Sequence, residues 1–134
     1  MKVFYAPDTS DHPNWGCRFM GAWYRARLTA IGAKPTWILG SRWFFALPDG
    51  MREPRTWADV QCIGEDVRSG RLSLGRVGEA LAACDLLWMN GENFIRPGAL
   101  KGRLLLVLAY LASEVYGKRC VLTNVSLDLS DPEL

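Results

Sequence analysis

Apolar residues along this chain fall into short unbroken runs and longer periodic stretches. Lys2–Ala6, Cys84–Met89 and Arg119–Thr123 are compact runs bounded by turn formers, the pattern of strands buried on both faces. Pro35–Leu39 is a fourth such segment. Between the first two strands, Cys17 to Ile31 predicts a helix, with Phe19, Met20, Trp23, Ala26, Leu28 and Ile31 available for its apolar face and Gly32 as its stop. Arg42–Leu47 is aromatic and apolar, and fits either a strand or a buried helical turn. Thr56 three residues before Asp59 is a capping pattern that opens a helix over about Trp57–Val67. Leu74, Val77, Leu81 and Ala82 mark a shorter helix leading into Cys84–Met89. The longest helix is predicted over about Ala99–Tyr116, closed by Gly117, with leucines facing nearly all round.

Strand, helix, strand, helices, strand, helix, strand is the order of an α/β domain: three layers, Rossmann-like, with a mainly parallel sheet and right-handed crossovers. A length of 134 residues fits one domain. Ser130-Asp131-Pro132-Glu133 reads as a helix start, with Ser three residues before Glu and Pro near the first helical position. Only Leu134 follows, so the expectation is the N-terminal portion of a longer two-domain protein.

Composition excludes more than it selects. The chain is 49% hydrophobic and 22% charged with a net charge of +2, in the ordinary globular range. Basic residues form no stripe interleaved with aromatics, so nucleic acid is not an expected partner. Leu104–Ala112, the most lipid-like stretch, falls far short of the roughly 20 residues a spanning helix needs. Four dispersed cysteines without a C-x-x-C pair give no zinc signature and fit a reducing cytoplasm. Neither a G-x-G-x-x-G fingerprint nor a P-loop is present, and no cofactor is expected.

The candidate chemistry lies past the predicted strand ends, where ligands bind in open α/β sheets. A first loop carries Asp8, Thr9, Ser10, Asp11, His12, Asn14, Trp15 and Gly16. A second carries Asn90, Gly91, Glu92 and Asn93, and a third Asn124, Ser126 and Asp128. If the strands are parallel neighbours, the three loops share one rim. Gly16 before a helix lets a ligand approach free backbone N–H groups. Carboxylates and amides suit sugar hydroxyls. Each residue also has a structural reading: Asn14 as a helix cap, Gly16 and Gly91 as turn formers, Glu92 as an ion-pair partner. His12 is the only histidine. Cys17 near it allows a cysteine-dependent enzyme as a further alternative.

Asp11-His12-Pro13-Asn14-Trp15-Gly16-Cys17-Arg18 after a first strand is similar to the N-terminal loop of the polysaccharide pyruvyl transferase family. Leu87-Trp88-Met89-Asn90-Gly91-Glu92 resembles that family's second landmark, and Leu111–Asn124, with Tyr116-Gly117-Lys118 before a strand, the third. The resemblance implies one half of a glycosyltransferase-B-like fold. It also implies transfer of a pyruvyl group from phosphoenolpyruvate, held through a C-terminal domain, to a hydroxyl of a sugar or polysaccharide-precursor acceptor. On this reading His12 or Glu92 is the general base, and Asn14, Gly16, Asn90, Gly91 and Asn124 line the acceptor side. The isolated chain would then be inactive. Many relatives have Asn-x-Gly-Asp in the first loop, where Cys17 follows Gly16 here, and Gly after the second-loop Glu, where this chain has Asn93. The alternative is a non-catalytic α/β module that binds a carbohydrate or nucleotide.

Overall fold

Alternation within the strands decides how the layers form. In the computed structural model, which describes residues 1–91 and 99–125, β1 (Lys2–Asp8) sends Phe4 and Ala6 to one face and Val3 and Tyr5 to the other. All four side chains are buried, so this strand is sandwiched. β2 (Lys34–Gly40) and β3 (Leu86–Asn90) pair with its two edges in parallel, and β4 (Arg119–Thr123) pairs with β3. The sheet is thus all-parallel among the described residues, in the order β2-β1-β3-β4.

One face carries the larger core. There α2 (Trp57–Arg68), α3 (Arg76–Ala83) and α4 (Leu100–Tyr110) bring Ile63, Leu81, Leu104 and Leu108 against Phe4, Leu87 and Met89. The opposite face is covered by α1 (Trp15–Ala30), which packs Tyr24 and Leu28 on Val3, Tyr5 and Leu86. Helices on both faces of a parallel sheet make this a three-layer α/β fold of Rossmann-like type. None of the described helices is long and apolar enough to cross a membrane.

Four sequence-based expectations change. The face of α1 is the first: Gly21, Tyr24 and Leu28 are buried, whereas Phe19, Trp23, Ala26 and Ile31 are exposed. Both sides of this helix carry apolar residues, so periodicity alone does not say which one faces the sheet. Second, β1 runs on to Asp8, which pairs with Gly40 and is strand rather than loop. Third, β3 is displaced toward its C-terminus and ends with Asn90 inside the ladder, opposite Thr123. Fourth, the long helix is α-helical only to Tyr110 and continues as a π-turn, Leu111–Val115. Tyr116 N–H reaches back five residues to the Leu111 carbonyl at 3.0 Å. α2 lies close against this turn, since a Cβ on Gly64 would sit 2.6 Å from Tyr110 Cε1 and 3.5 Å from Val115 Cγ2. The aromatic stretch after β2 resolves as a 3-10 turn, Ser41–Phe45, that buries Phe44.

The Thr56 cap forms as the sequence indicates. Asp59 N–H donates to Thr56 Oγ1 at 3.2 Å, and Thr56 N–H donates to Asp59 Oδ2 at 2.9 Å. The Thr56 hydroxyl and backbone hold the Asp59 carboxyl below its ordinary range. Thr56→Ala should cost about 1 kcal/mol in urea unfolding at neutral pH. A folded-state pKa that is depressed adds stability above the unfolded value, and this is lost as pH falls through the folded one. The gap between the variant and the parent chain should therefore narrow in acid, and a gap that widens there would contradict the assignment.

Candidate functional site

The strand order reverses between β1 and β3: β2 is added on one side of β1, and β3 and β4 on the other. The connection from β1 leads to α1 on one face, while the chain before and after β3 runs through helices on the other. Such a switch point opens a crevice at the carboxyl edge of a parallel sheet. Two groups of candidate residues follow the ends of these two strands.

The β1 side is a loop that braces itself. Asp8, buried at the strand end, accepts from Ser10 N–H at 3.1 Å and from Ser10 Oγ at 2.8 Å. Arg25 of α1 lies 3.5 Å from the same carboxylate. Thr9, also buried, donates its hydroxyl to the Cys17 carbonyl at 2.8 Å and so ties the loop to the first turn of α1. His12 N–H closes a turn on the Thr9 carbonyl at 3.0 Å. Asn14 is the N-cap, accepting from Cys17 N–H at 3.3 Å. Gly16 leaves room for that cap, because a Cβ there would stand 3.2 Å from Asn14 Oδ1.

His12 is oriented by its neighbour. Its Nδ1 accepts the Asn14 backbone N–H at 3.1 Å. That bond places the proton of the neutral ring on Nε2, so the outer nitrogen offers a hydrogen-bond donor. Gly21 has no signal in the sequence that marks it as part of this region. It sits where α1 crosses the loop backbone, and any Cβ there would lie 2.5 Å from the Ser10 nitrogen.

The β3 side joins two predicted loops. Asn90 is fully buried, and its Oδ1 accepts from Asn124 Nδ2 at 3.2 Å. Gly91 N–H donates to the Thr123 carbonyl at 2.8 Å, extending the β3–β4 ladder by one bond. A Cβ on Gly91 would collide with the Val125 side chain, so glycine here leaves room for it. Asn124 adopts φ 54°, the left-handed conformation that asparagine tolerates. Trp88 Nε1 donates to Thr123 Oγ1 at 3.0 Å, which in turn donates to the Met89 carbonyl at 3.1 Å.

Asn90, Gly91 and Asn124 are thus one unit, and His12, Asn14 and Gly16 another, at the ends of adjacent strands. No hydrogen bond among the described residues links the two units. Glu92 and Asn93, with Ser126, Asp128 and the helix start at Ser130, lie outside the described residues.

The cavity that the structure shows was not legible in the sequence. A cavity of about 660 Å³ opens between α2 and α4, lined in part by Trp57, Gln61, Arg103, Tyr110 and Cys120. Nearby, Glu53 accepts from Arg55 at 2.7 and 2.9 Å and from Arg103 at 2.7 Å. Those arginines, Arg55 first, hold the Glu53 carboxyl below its usual range. Burial pushes the Cys120 and Cys84 thiols up, away from thiolate chemistry. None of the predicted site residues lines this cavity. Among the described residues no cluster of histidine, cysteine and carboxylates is arranged to hold a metal ion.

No protein-family model, curated protein or solved structure matches this chain.

Proposed function

We propose that the chain supplies the acceptor side of a polysaccharide pyruvyl transferase-like enzyme, holding a sugar in the crevice between the ends of β1 and β3. The observation that carries this reading is the Asn90–Asn124 pair, in which a fully buried amide at the end of a central strand holds an exposed Asn124 amide at the rim. Amides both donate and accept, which suits hydroxyl groups that do the same. His12, with Nε2 outward, adds a donor from the opposite side of the crevice. The three stretches that resemble the family are the ones that build these two sides. Phosphoenolpyruvate is the proposed donor, met through a second domain.

One observation favours a non-catalytic carbohydrate-binding module instead. The Asn14 N–H occupies His12 Nδ1, so the neutral ring carries its proton on the outer nitrogen and is not set as a base.

Amide-resolved NMR titration with nucleotide-linked and free hexoses tests the shared part. Shifts should concentrate at His12, Asn90, Gly91 and Asn124. Shifts confined to the α2–α4 cavity, or none with any sugar, would remove the proposal. Adding phosphoenolpyruvate then separates the readings. A pyruvate ketal with release of inorganic phosphate, using protein that includes the donor domain, supports the transferase. Sugar binding with no ketal under those conditions supports the module.

A further inference from the structure

α1 presents to solvent the side that a helix on a sheet ordinarily keeps polar. Trp15 is 72% exposed, Phe19 54% and Trp23 48%, and they follow one another at i, i+4 and i+8. With 3.6 residues per turn, Ala22, Ala26 and Ala30 fall among them, completing an outward apolar arc of about 100°. Trp15 and Phe19 stack on one another with centroids 5.7 Å apart, and Trp23 stands edge-on to the buried Tyr24 at 5.1 Å. The exposed aromatics are therefore held in place.

The margins of this arc are cationic. Arg18 and Arg25 fall on one side of it and Arg27 on the other, and α1 contains no aspartate or glutamate. Arg25 is partly compensated by Asp8, and Asp11 lies exposed in the preceding loop. Among the described residues, neither Arg18 nor Arg27 has a carboxylate in ion-pair range. Thr29, beside the arc, donates its hydroxyl proton back to the Arg25 carbonyl at 3.0 Å.

Tryptophan and phenylalanine on one face with arginine at both edges is the arrangement of a helix that lies in the headgroup region of a bilayer. We propose that α1 docks this protein onto an anionic membrane surface, with Trp15 and Phe19 entering the acyl boundary and Arg18 and Arg27 meeting lipid phosphates. Charge complementarity selects the occupant. A neutral apolar partner would leave the arginines without counterions, while an anionic headgroup layer supplies them around an apolar interior. The inference is independent of what binds in the crevice.

The test is co-sedimentation of the intact chain with vesicles of phosphatidylglycerol and phosphatidylcholine, compared with phosphatidylcholine alone. Binding should require the anionic lipid, fall with salt and shift tryptophan emission to the blue. Trp15→Ser with Phe19→Ser should reduce the bound fraction roughly tenfold, as should Arg18→Glu with Arg27→Glu. All four side chains are exposed, and unchanged urea midpoints would confirm that the variants fold. Absence of binding to anionic vesicles overturns the proposal, as does binding that neither pair of substitutions weakens. A dimer in analytical ultracentrifugation that dissociates in Trp15→Ser/Phe19→Ser would assign the face to a second copy and overturn it as well.

Discussion

Gly21→Ala should destabilise the protein by about 2 kcal/mol, although alanine is the better helix former at an interior position by nearly 1 kcal/mol. The added methyl would lie 2.5 Å from the Ser10 nitrogen, 2.9 Å from the Thr9 carbonyl carbon and 3.0 Å from the Ser10 Cα. All three are backbone atoms, so no side chain can rotate away. Either α1 lifts from the loop or the loop shifts outward. The first loosens Tyr24 and Leu28 on the sheet, and the second disturbs the Thr9 bond to the Cys17 carbonyl.

Ala22→Gly, one residue on and exposed, is the matching control. It should lose about 1 kcal/mol from helix propensity alone. Opposite substitutions at adjacent positions of one helix should thus both destabilise, by different mechanisms. Urea unfolding measures the two losses, and NMR separates their reach. Gly21→Ala should move the amides of Thr9 to Asn14, whereas Ala22→Gly should leave them in place. A Gly21→Ala protein as stable as the parent chain would show that the helix and loop do not meet as closely as described.

The same residue explains what the sequence could and could not reveal. Strands were legible because a short apolar run between turn formers has few other uses, and Arg119–Thr123 forms with the ends expected. The Thr56 cap was legible because its chemistry is local. The buried side of α1 was present as Gly21, Tyr24 and Leu28 at helical spacing, but a second apolar side with larger residues masked it. Bulk suggests burial only where nothing outside the fold competes for the larger side chains. The π-turn could not be read from α4, since its leucines are apolar all round and the close neighbour Gly64 belongs to a different helix.

Site residues divide in the same way. Asn14 was legible as a cap, and it is one. Asn90 and Asn124 were legible as strand-end amides, but their pairing depends on β3 and β4 being adjacent in register, which no local pattern encodes. Asp8 lies beyond the apolar run Lys2–Ala6 and so reads as loop. Pairing with β2 carries the strand past it and leaves the carboxylate buried, held by Ser10 and Arg25. The cavity between α2 and α4 joins residues from distant segments and has no linear signature.

The most direct test of the crevice wall is an isosteric one. Asn90→Asp changes one terminal nitrogen to oxygen and leaves the shape of the side chain intact. Asn90 is fully buried and accepts from the Asn124 amide, so the new carboxylate would lose its hydration. Neutral amide donors do not replace the hydration of a buried charge, so the variant should lose about 3 kcal/mol at neutral pH. Burial raises the folded-state pKa of such a group above the unfolded value. A raised carboxylate pKa makes ionisation work against folding above the unfolded value, so stability should recover as pH falls and the acid form is retained. Urea midpoints measured from neutral pH to about pH 4 should therefore converge with those of the parent chain. Asn90→Ala distinguishes charge from lost bonding: it removes the acceptor for Asn124 without adding a titrating group, and its deficit should stay constant over the same range. Equal stability of Asn90→Asp and the parent chain at neutral pH would mean that water reaches the end of β3. Asn90 would then not be the buried anchor that fixes the exposed Asn124 amide.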